Sequence, residues 1–547
     1  MNTFKIIFYL SLCLCFEKES YTQTPVILWQ KCLGGTFRDY VAGTNSNSSI
    51  GTGLGYGGSY VKQTTDGGYI VGGQAISTDG DVSGNHNNNP IQYTNPDYWI
   101  VKLTSTGNIQ WQKCIGGFYG DCLKTIDQTL DGGYIVAGYT NSNGGDGDVV
   151  GPNRGWYDWW IVKISATGNI QWSKRLGGEN DDKVFSIQPT TDGGYISAGY
   201  TSWPGGGDVS GFHAPITPTS ITSDAWIVKL NNSGIVQWQK CLGGTNSESA
   251  YSIQQTSDGG YIYVGQTNSN DGDVSGNHGG TDIWIVKTNN SGNIQWQKCI
   301  GGTGNEIANV VQQTADNGHI IVGQSNSTDG NASGNHGEYD AWIVKLNSTG
   351  TIQWQKMLGG SGYDFAYSIK QIRGNSYIIA GETNSTDGDI IGNHGGYDAW
   401  IVELNSTGSI QWQKCLGGTS TDGASTIQQT LDGNYIVAGT TGSNNGDVSG
   451  NHGSYDIWVV KLSPKIATGI EENIKSSFIS VFPNPANTKL QLPEKLKTIK
   501  IYNLNGQLQQ TDTETDYIDI QSLNNATYFI KGITQNGQQV ESKFIKQ

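Results

Sequence analysis

The chain has 547 residues, 79 of them glycine, with 14% charged residues and a formal net charge of −15. This balance excludes a nucleic-acid or anionic-membrane surface, which needs clustered Lys and Arg. The only arginines are Arg38, Arg154, Arg175 and Arg373. Glycine sits at fixed places in turns rather than at every third position, so the chain is not collagenous.

The first elements are Lys5 and an apolar run from Ile6 to Phe16, followed by polar residues. This is the pattern of a signal peptide over 1–22, and the run is too short to span a bilayer. No other segment approaches a membrane span. Export of a soluble or peripherally attached protein is the expectation.

Internal repetition dominates residues 23–462. A Trp within an Ile-Gln-Trp-Gln-Lys segment falls at Trp29, Trp111, Trp172, Trp238, Trp296, Trp354 and Trp412. A second Trp, two residues after an Asp, falls at Trp99, Trp160, Trp226, Trp284, Trp342, Trp400 and Trp458. The chain opens with the first kind and closes with the second. Seven whole copies exist only if the first segment completes the last unit. That is the logic of a ring, not of a solenoid with capped ends. Each unit reads as four short strands. Strand A is typified by Ser252–Thr256, strand B by Tyr435–Gly439, strand C by Trp-Ile-Val-Lys and strand D by Ile-Gln-Trp-Gln-Lys. The A→B turn carries Asp-Gly-Gly, where glycine supplies positive φ. The fold predicted is all-β: a seven-bladed β-propeller with four-stranded blades, the N-terminal strand completing the last blade, plus a small C-terminal β-sandwich.

Loop lengths divide the two faces of such a disc. The A→B and C→D turns are tight in every unit. The step from strand B to the strand C Trp is 30, 26 and 31 residues in the first three units (Tyr69 to Trp99, Tyr134 to Trp160, Tyr195 to Trp226), against 23 in the last four. One further insertion, around Asn45 to Tyr60, lies between strands D and A. Every length change therefore falls on the B→C and D→A face. Variable loops on a rigid scaffold are where binding residues concentrate.

Six cysteines follow the signal segment. Cys32, Cys114, Cys241, Cys299 and Cys415 share one place in different units, where the other two copies have Arg175 and Met357. Equivalent positions on separate blades lie too far apart to bridge, so these read as small buried side chains. Only Cys114 and Cys122 are close in sequence.

After Leu462 the repeat stops. Residues 463–477 form a polar linker, and 478–547 read as strands of a separate domain. Phe482-Pro483-Asn484-Pro485, the Tyr502-Asn503-Leu504-Asn505-Gly506 turn, Tyr528-Phe529-Ile530 and Lys543-Phe544-Ile545-Lys546 occur there in order. On these motifs the stretch resembles the type A C-terminal sorting domain of the Bacteroidota type IX secretion system. The resemblance implies export, outer-membrane translocation with the type IX machinery as partner, and release or attachment at the cell surface. The repeats are also similar to uncharacterised propeller repeats of Bacteroidota surface proteins.

Three constellations bear on function. The B→C loops repeat Asp-Gly-Asp-Val-Ser-Gly-Asn-His, placing Asp79 and Asp81, Asp271 and Asp273, and Asp387 and Asp389 as alternate oxygen donors. Calcium uses such loops, but no bidentate Glu follows. Asx turns that satisfy loop backbone explain the same residues. The histidines of these loops (His86, His213, His278, His336, His394, His452) and the Asp two residues before each strand C Trp recur too regularly for catalysis and read as structural. Symmetry breaks in the loops of units 1–3, which contain Tyr93, Arg154, Trp156, Tyr157, Trp203 and Phe212. Exposed aromatics there suit stacking on sugar rings or anchoring a protein. The expected function is a secreted, non-catalytic propeller binding glycan or protein through its long-loop face. The alternative is an extracellular glycan hydrolase or lyase with a site at the channel mouth. No catalytic residue is assigned.

Overall fold

The computed structural model describes residues 22–41, 60–86, 95–202, 206–213, 222–464, 466–467, 477–479, 481–503, 508–535 and 539–547. The signal segment, most of the D→A insertion, Tyr93 and Trp203 lie outside the described residues. The chain divides into two compact units. Thr24–Ile466 is one, and Ala467–Gln547 belongs to the other. Among the described residues no helix is long and apolar enough to cross a membrane.

The first unit is seven antiparallel sheets, each running A-B-C-D. The fourth blade is representative, with Glu248–Gln255, Tyr261–Thr267, Asp282–Thr288 and Ile294–Ile300 as its strands A to D. Strand C is buried along its whole length because other blades cover both faces of its sheet. Its apolar run therefore does not alternate. The core lies between blades: Ile262, Val264, Ile283 and Ile285 of the fourth pack with Val311, Ile321, Trp342 and Val344 of the fifth. Strand D is the outer edge. Only its last two residues are buried, and its Lys keeps the open edge from pairing with another sheet.

Ring closure follows the predicted route. Ile27–Leu33 pairs antiparallel with Asp456–Leu462, in a register from Ile27↔Leu462 to Leu33↔Ile457. It thereby becomes strand D of the seventh blade. Blades 7 and 1 then meet as the others do: Leu431 N–H donates to Gln63 Oε1 at 2.8 Å, and Asp39 N–H to the Tyr455 carbonyl at 2.7 Å. Strands A of successive blades contact one another and so surround the central channel.

Strand A starts earlier than its apolar pattern predicts, at Glu248 rather than Ser252. The reason is a β-bulge at Tyr251, which breaks the period-2 alternation. Blades 2 to 7 all carry this bulge.

On the tight-turn face, the A→B Asp accepts from its own hairpin and from a strand C Lys. Asp258 takes bonds from Thr256 Oγ1, Gly260 N–H and Lys287 Nζ. Gly259, at φ +81°, completes this turn. The sixth blade has Gly374 and Glu403 at the Asp and Lys positions. There Glu403 accepts from Trp412 Nε1 at 2.6 Å.

In the second unit, the strands predicted for a small sandwich form one continuous five-stranded sheet. Its register shifts between Gln491 and Leu496. Leu490, Ile499, Ile501, Ile518, Ile530 and Phe544 gather into a single apolar core.

Candidate functional site at the channel mouth

The B→C and D→A connections share one face, because they bond to each other: Phe37 N–H donates to Ser77 Oγ at 2.9 Å, and Asn246 N–H to Ser269 Oγ at 2.9 Å. Two rows of buried carboxylates support these loops. The outer row is the Asp that opens each strand C. In six blades one of its oxygens accepts both the backbone N–H and the Nδ1 of the loop histidine. The Nδ1 distances run from 2.6 Å at His278, His336 and His394 to 2.9 Å at His213. These histidines are structural, as the repetition implied. In the second blade Arg154 supplies the N–H and Arg175 replaces the imidazole, with Nε 2.6 Å from Asp158. Arg175 also donates to the Ser142 carbonyl and to Asn153 Oδ1, both at 2.7 Å, so its buried charge is satisfied.

The inner row is the acid that opens strand A: Asp39, Asp121, Asp182, Glu248, Glu306, Asp364 and Asp422, all fully buried. Each accepts the N–H of a D→A glycine four residues earlier, as Asp121 does from Gly117 at 2.7 Å. Glycine is obligatory just before that position. A Cβ on Gly34 would lie 2.5 Å from Asp456 Oδ1 and 3.0 Å from Asp39 Oδ2. All seven outer aspartates leave Oδ1 buried with no donor among the described residues.

The carboxylates considered for calcium point to the same backbone. Asp79 Oδ1 accepts Thr36 N–H, Asp271 Oδ1 accepts Thr245 N–H and Asp387 Oδ1 accepts Ser361 N–H, at 2.7 to 2.8 Å. Asp273 and Asp389 accept glycine N–H groups at 3.3 Å, and the backbone N–H of Asp81 donates to the Gly34 carbonyl at 2.9 Å. Among the described residues no three acidic, His or Cys side chains gather as a metal would require. With these oxygens committed to loop backbone, melting curves in millimolar calcium and in EDTA should superimpose. A calcium-dependent rise in melting temperature would show that the loops bind the ion.

Of the symmetry-breaking residues, Trp156 is 76% exposed on its loop. Arg154 is ion-paired with Asp208. Phe212 is half-buried on the third blade. Tyr157 turns inward, its ring edge-on to Tyr139 at 5.3 Å. That contact leads to a site that loop lengths did not reveal.

Laid under one another, the seven copies agree at most positions of strands C and D, apart from the residue after the strand C Asp and single exchanges such as Arg175, Met357 and Glu403; they also differ at three inner positions near the loop face. One is the bulge residue: Lys124, Phe185, Tyr251, Asn309, Tyr367 and Ser425 in blades 2 to 7. The second follows the strand A acid, and includes Cys122, Lys183 and Phe365. The third is its strand B partner, which includes Tyr139, Tyr200 and Glu382. Side chains from these positions touch one another from blade 2 to blade 4 and again within blade 6. Lys183 Nζ lies 4.8 Å from the Tyr157 ring, 5.2 Å from Tyr139 and 6.0 Å from Tyr200. Lys124 Nζ lies 5.5 Å from Tyr139. Phe185 then joins Tyr200 to Tyr251. Across the channel Phe365 and Tyr367 stack at 6.1 Å, and Tyr367 donates to Glu382 at 2.7 Å. Burial raises the Glu382 carboxyl to about 7 against that bond, while burial and then Lys183 hold the Lys124 ammonium below its usual range, against the opposing pull of Cys122.

Residues 480–547 match a family described as the secretion system C-terminal sorting domain. That segment is a type IX sorting domain, and the protein is secreted or attached at the cell surface. Among curated proteins none matches the chain. Solved structures similar to it include the Neurospora crassa Pan2 WD40 domain, at 10% identity, covering 62% of this chain and 89% of that one, with a TM-score of 0.31. Another is Sqt1 from Chaetomium thermophilum, at 11% identity, covering 75% and 83%, with a TM-score of 0.36. A third is the extracellular domain of the putative one-component system BT4673 from B. thetaiotaomicron, at 10% identity, covering 89% and 67%, with a TM-score of 0.26. The propeller assignment rests on strand order and closure, not on these scores.

Proposed function

We propose that this secreted propeller is a binding protein, and that its ligand is a glycan seated over the loop-face mouth of the channel. The observation behind this reading is the concentration of sequence differences among seven near-identical copies. Most positions in the strands that build the ring keep one residue type. Three inner columns at one mouth do not, and they supply tyrosines, lysines and one acid. A symmetric scaffold has no structural need for such differences, whereas a ligand without sevenfold symmetry does. Trp156 on the adjoining loop offers a free indole face, and polar loops around it suit the hydroxyls of a sugar.

Trp156→Ala should reduce retention on a bound polysaccharide about tenfold with an unchanged melting temperature, since little of this side chain is buried. Equal retention by the variant would remove Trp156 from the site. A second reading, a glycan-cleaving enzyme, draws on Glu382, a buried acid held near neutrality in the same mouth. Release of reducing ends by the native chain, lost in Glu382→Gln, would favour it.

A further inference from the structure

We propose that the ligand is an acidic saccharide, and that its carboxylate or sulfate is held by Lys124 and Lys183 at the mouth of the channel between blades 2 and 3. This deepens the glycan-binding reading and rests on it.

Most of the other inward lysines of this chain meet a carboxylate. Lys102, Lys163, Lys229, Lys287, Lys345 and Lys461 each meet an aspartate at 2.6 to 2.9 Å, and Lys62 meets Asp127 at 2.7 Å. These charges, taken from water, are thereby matched. Lys370, on strand A of the sixth blade, forms no ion pair among the described residues but lies in the field of the same Asp127. The mouth departs from that pattern. Lys124 is half-buried, yet no hydrogen bond or carboxylate reaches its ammonium among the described residues. Beside it among the described residues are the Tyr139 ring, at 5.5 Å, and the Cys122 thiol. Lys183 has one carboxylate, Asp181 at 3.3 Å, which is itself partly open to solvent. Two cations from neighbouring blades thus meet at the Tyr139 ring with a single carboxylate, Asp181, paired to one of them, in a protein whose net charge is −15. Holding like charges together in a partly desolvated place is unfavourable unless a counter-charge arrives. An arriving anion removes that cost and gains charge-assisted hydrogen bonds.

The surroundings fix the kind of anion. Tyr139, Tyr157 and Tyr200 hold the Lys183 ammonium over their rings; the Tyr139 hydroxyl is bonded to Cys122, which leaves those of Tyr157 and Tyr200 to meet a ligand. The indole of Trp156, on the same loop as Tyr157, gives a flat apolar face. A ring with a C–H face for stacking, hydroxyls for the tyrosines and one negative group for the lysines fits all three. A neutral sugar leaves the lysines unmatched, and inorganic phosphate leaves the aromatics unused.

The test uses the full chain in affinity electrophoresis through dextran, dextran sulfate and polygalacturonate. Retardation by dextran sulfate or polygalacturonate, but not by dextran, is expected. The comparison shows whether sulfate or carboxylate is preferred. Retention should weaken as salt rises from about 50 to about 500 mM. Lys124→Met and Lys183→Met should each lower affinity about tenfold, and Lys183→Arg should retain most of it. Lys356→Met, on an exposed strand D edge, should have no effect. Equal retardation by dextran, or binding indifferent to salt and to both Met variants, overturns the acidic-ligand inference and leaves glycan binding standing. An equal loss in Lys356→Met also overturns it, because the polyanion is then held by the edge. If none of the three polymers retards the protein, both readings fall. The salt series on the unaltered chain decides the question even if a Met variant does not fold.

Discussion

A chain lacking residues 24–35 loses the cooperative melting of the entire ring. That is the largest effect the fold predicts from a small deletion. These residues supply strand D of the seventh blade, so removing them uncovers strand C of that blade along the six residues from Ile457 to Leu462. Trp458 Nε1 loses Gln30 Oε1, its acceptor at 2.7 Å, and Ser463 N–H loses the Val26 carbonyl at 2.9 Å. Leu33, 1% exposed, leaves a core that also contains Ile457 and Val459. Trp29 leaves Tyr69 of the first blade, whose ring lies 5.8 Å away. Loss of Leu33 alone costs about 3 kcal/mol, and the complete strand several times that, comparable to the ~5–15 kcal/mol that keeps a domain folded. The uncovered strand is also a bare edge, open to pairing between molecules. Calorimetry of the deleted chain should show a broad or absent transition and light scattering should show aggregation. Leu33→Ala should keep a cooperative but lowered melt. A transition unchanged in the deleted chain would mean that the ring does not depend on its closing strand.

The architecture was legible because each blade repeats two tryptophans, and the order of these markers at the two ends forced closure. The loop aspartates and histidines were legible for the same reason. A side chain repeated in nearly every blade reports what every blade needs, and Asp282 with His278 is such a pair. The start of strand A was not legible, because the bulge at Tyr251 disrupts alternation and the residue before it reads as loop. The mouth was less legible still. Lys124, Tyr139, Tyr157 and Lys183 come from four segments and meet only after blades 2 and 3 pack. Their signal was present in another form, as columns in which the copies disagree. Counting loop lengths found Trp156 and Tyr157 but passed over these columns, since substitution leaves length unchanged.

The buried carboxylates give the second large effect: the protein is most stable in mild acid and loses stability toward pH 8. Burial, opposed by local hydrogen bonds, raises Asp39 and Asp224 to about 6 and Asp121 and Asp182 to about 7. A carboxyl in the unfolded chain releases its proton near pH 4. Between about 4 and 7 the folded state therefore binds more protons than the unfolded one, and stability falls as pH rises through that window. The turn aspartates act in the opposite sense. Partial burial pushes them up, but a threonine hydroxyl, a lysine ammonium and a glycine N–H outweigh it and hold Asp66, Asp131, Asp192, Asp258 and Asp316 at about 2. Their contribution is complete above about 4 and is lost as pH falls toward 2. The two sets place the maximum near pH 4 to 5. Melting temperatures measured from pH 3 to 8 should peak there. High salt should leave the fall toward pH 8 largely intact, because it arises from buried groups and not from surface repulsion among the excess negative charges. Asp121→Asn and Asp182→Asn together should flatten the slope between pH 5 and 8 while leaving the acid limb in place. A melting temperature that climbs steadily to pH 8, or a slope abolished by salt alone, would mean that these carboxyls are ionised in the folded ring.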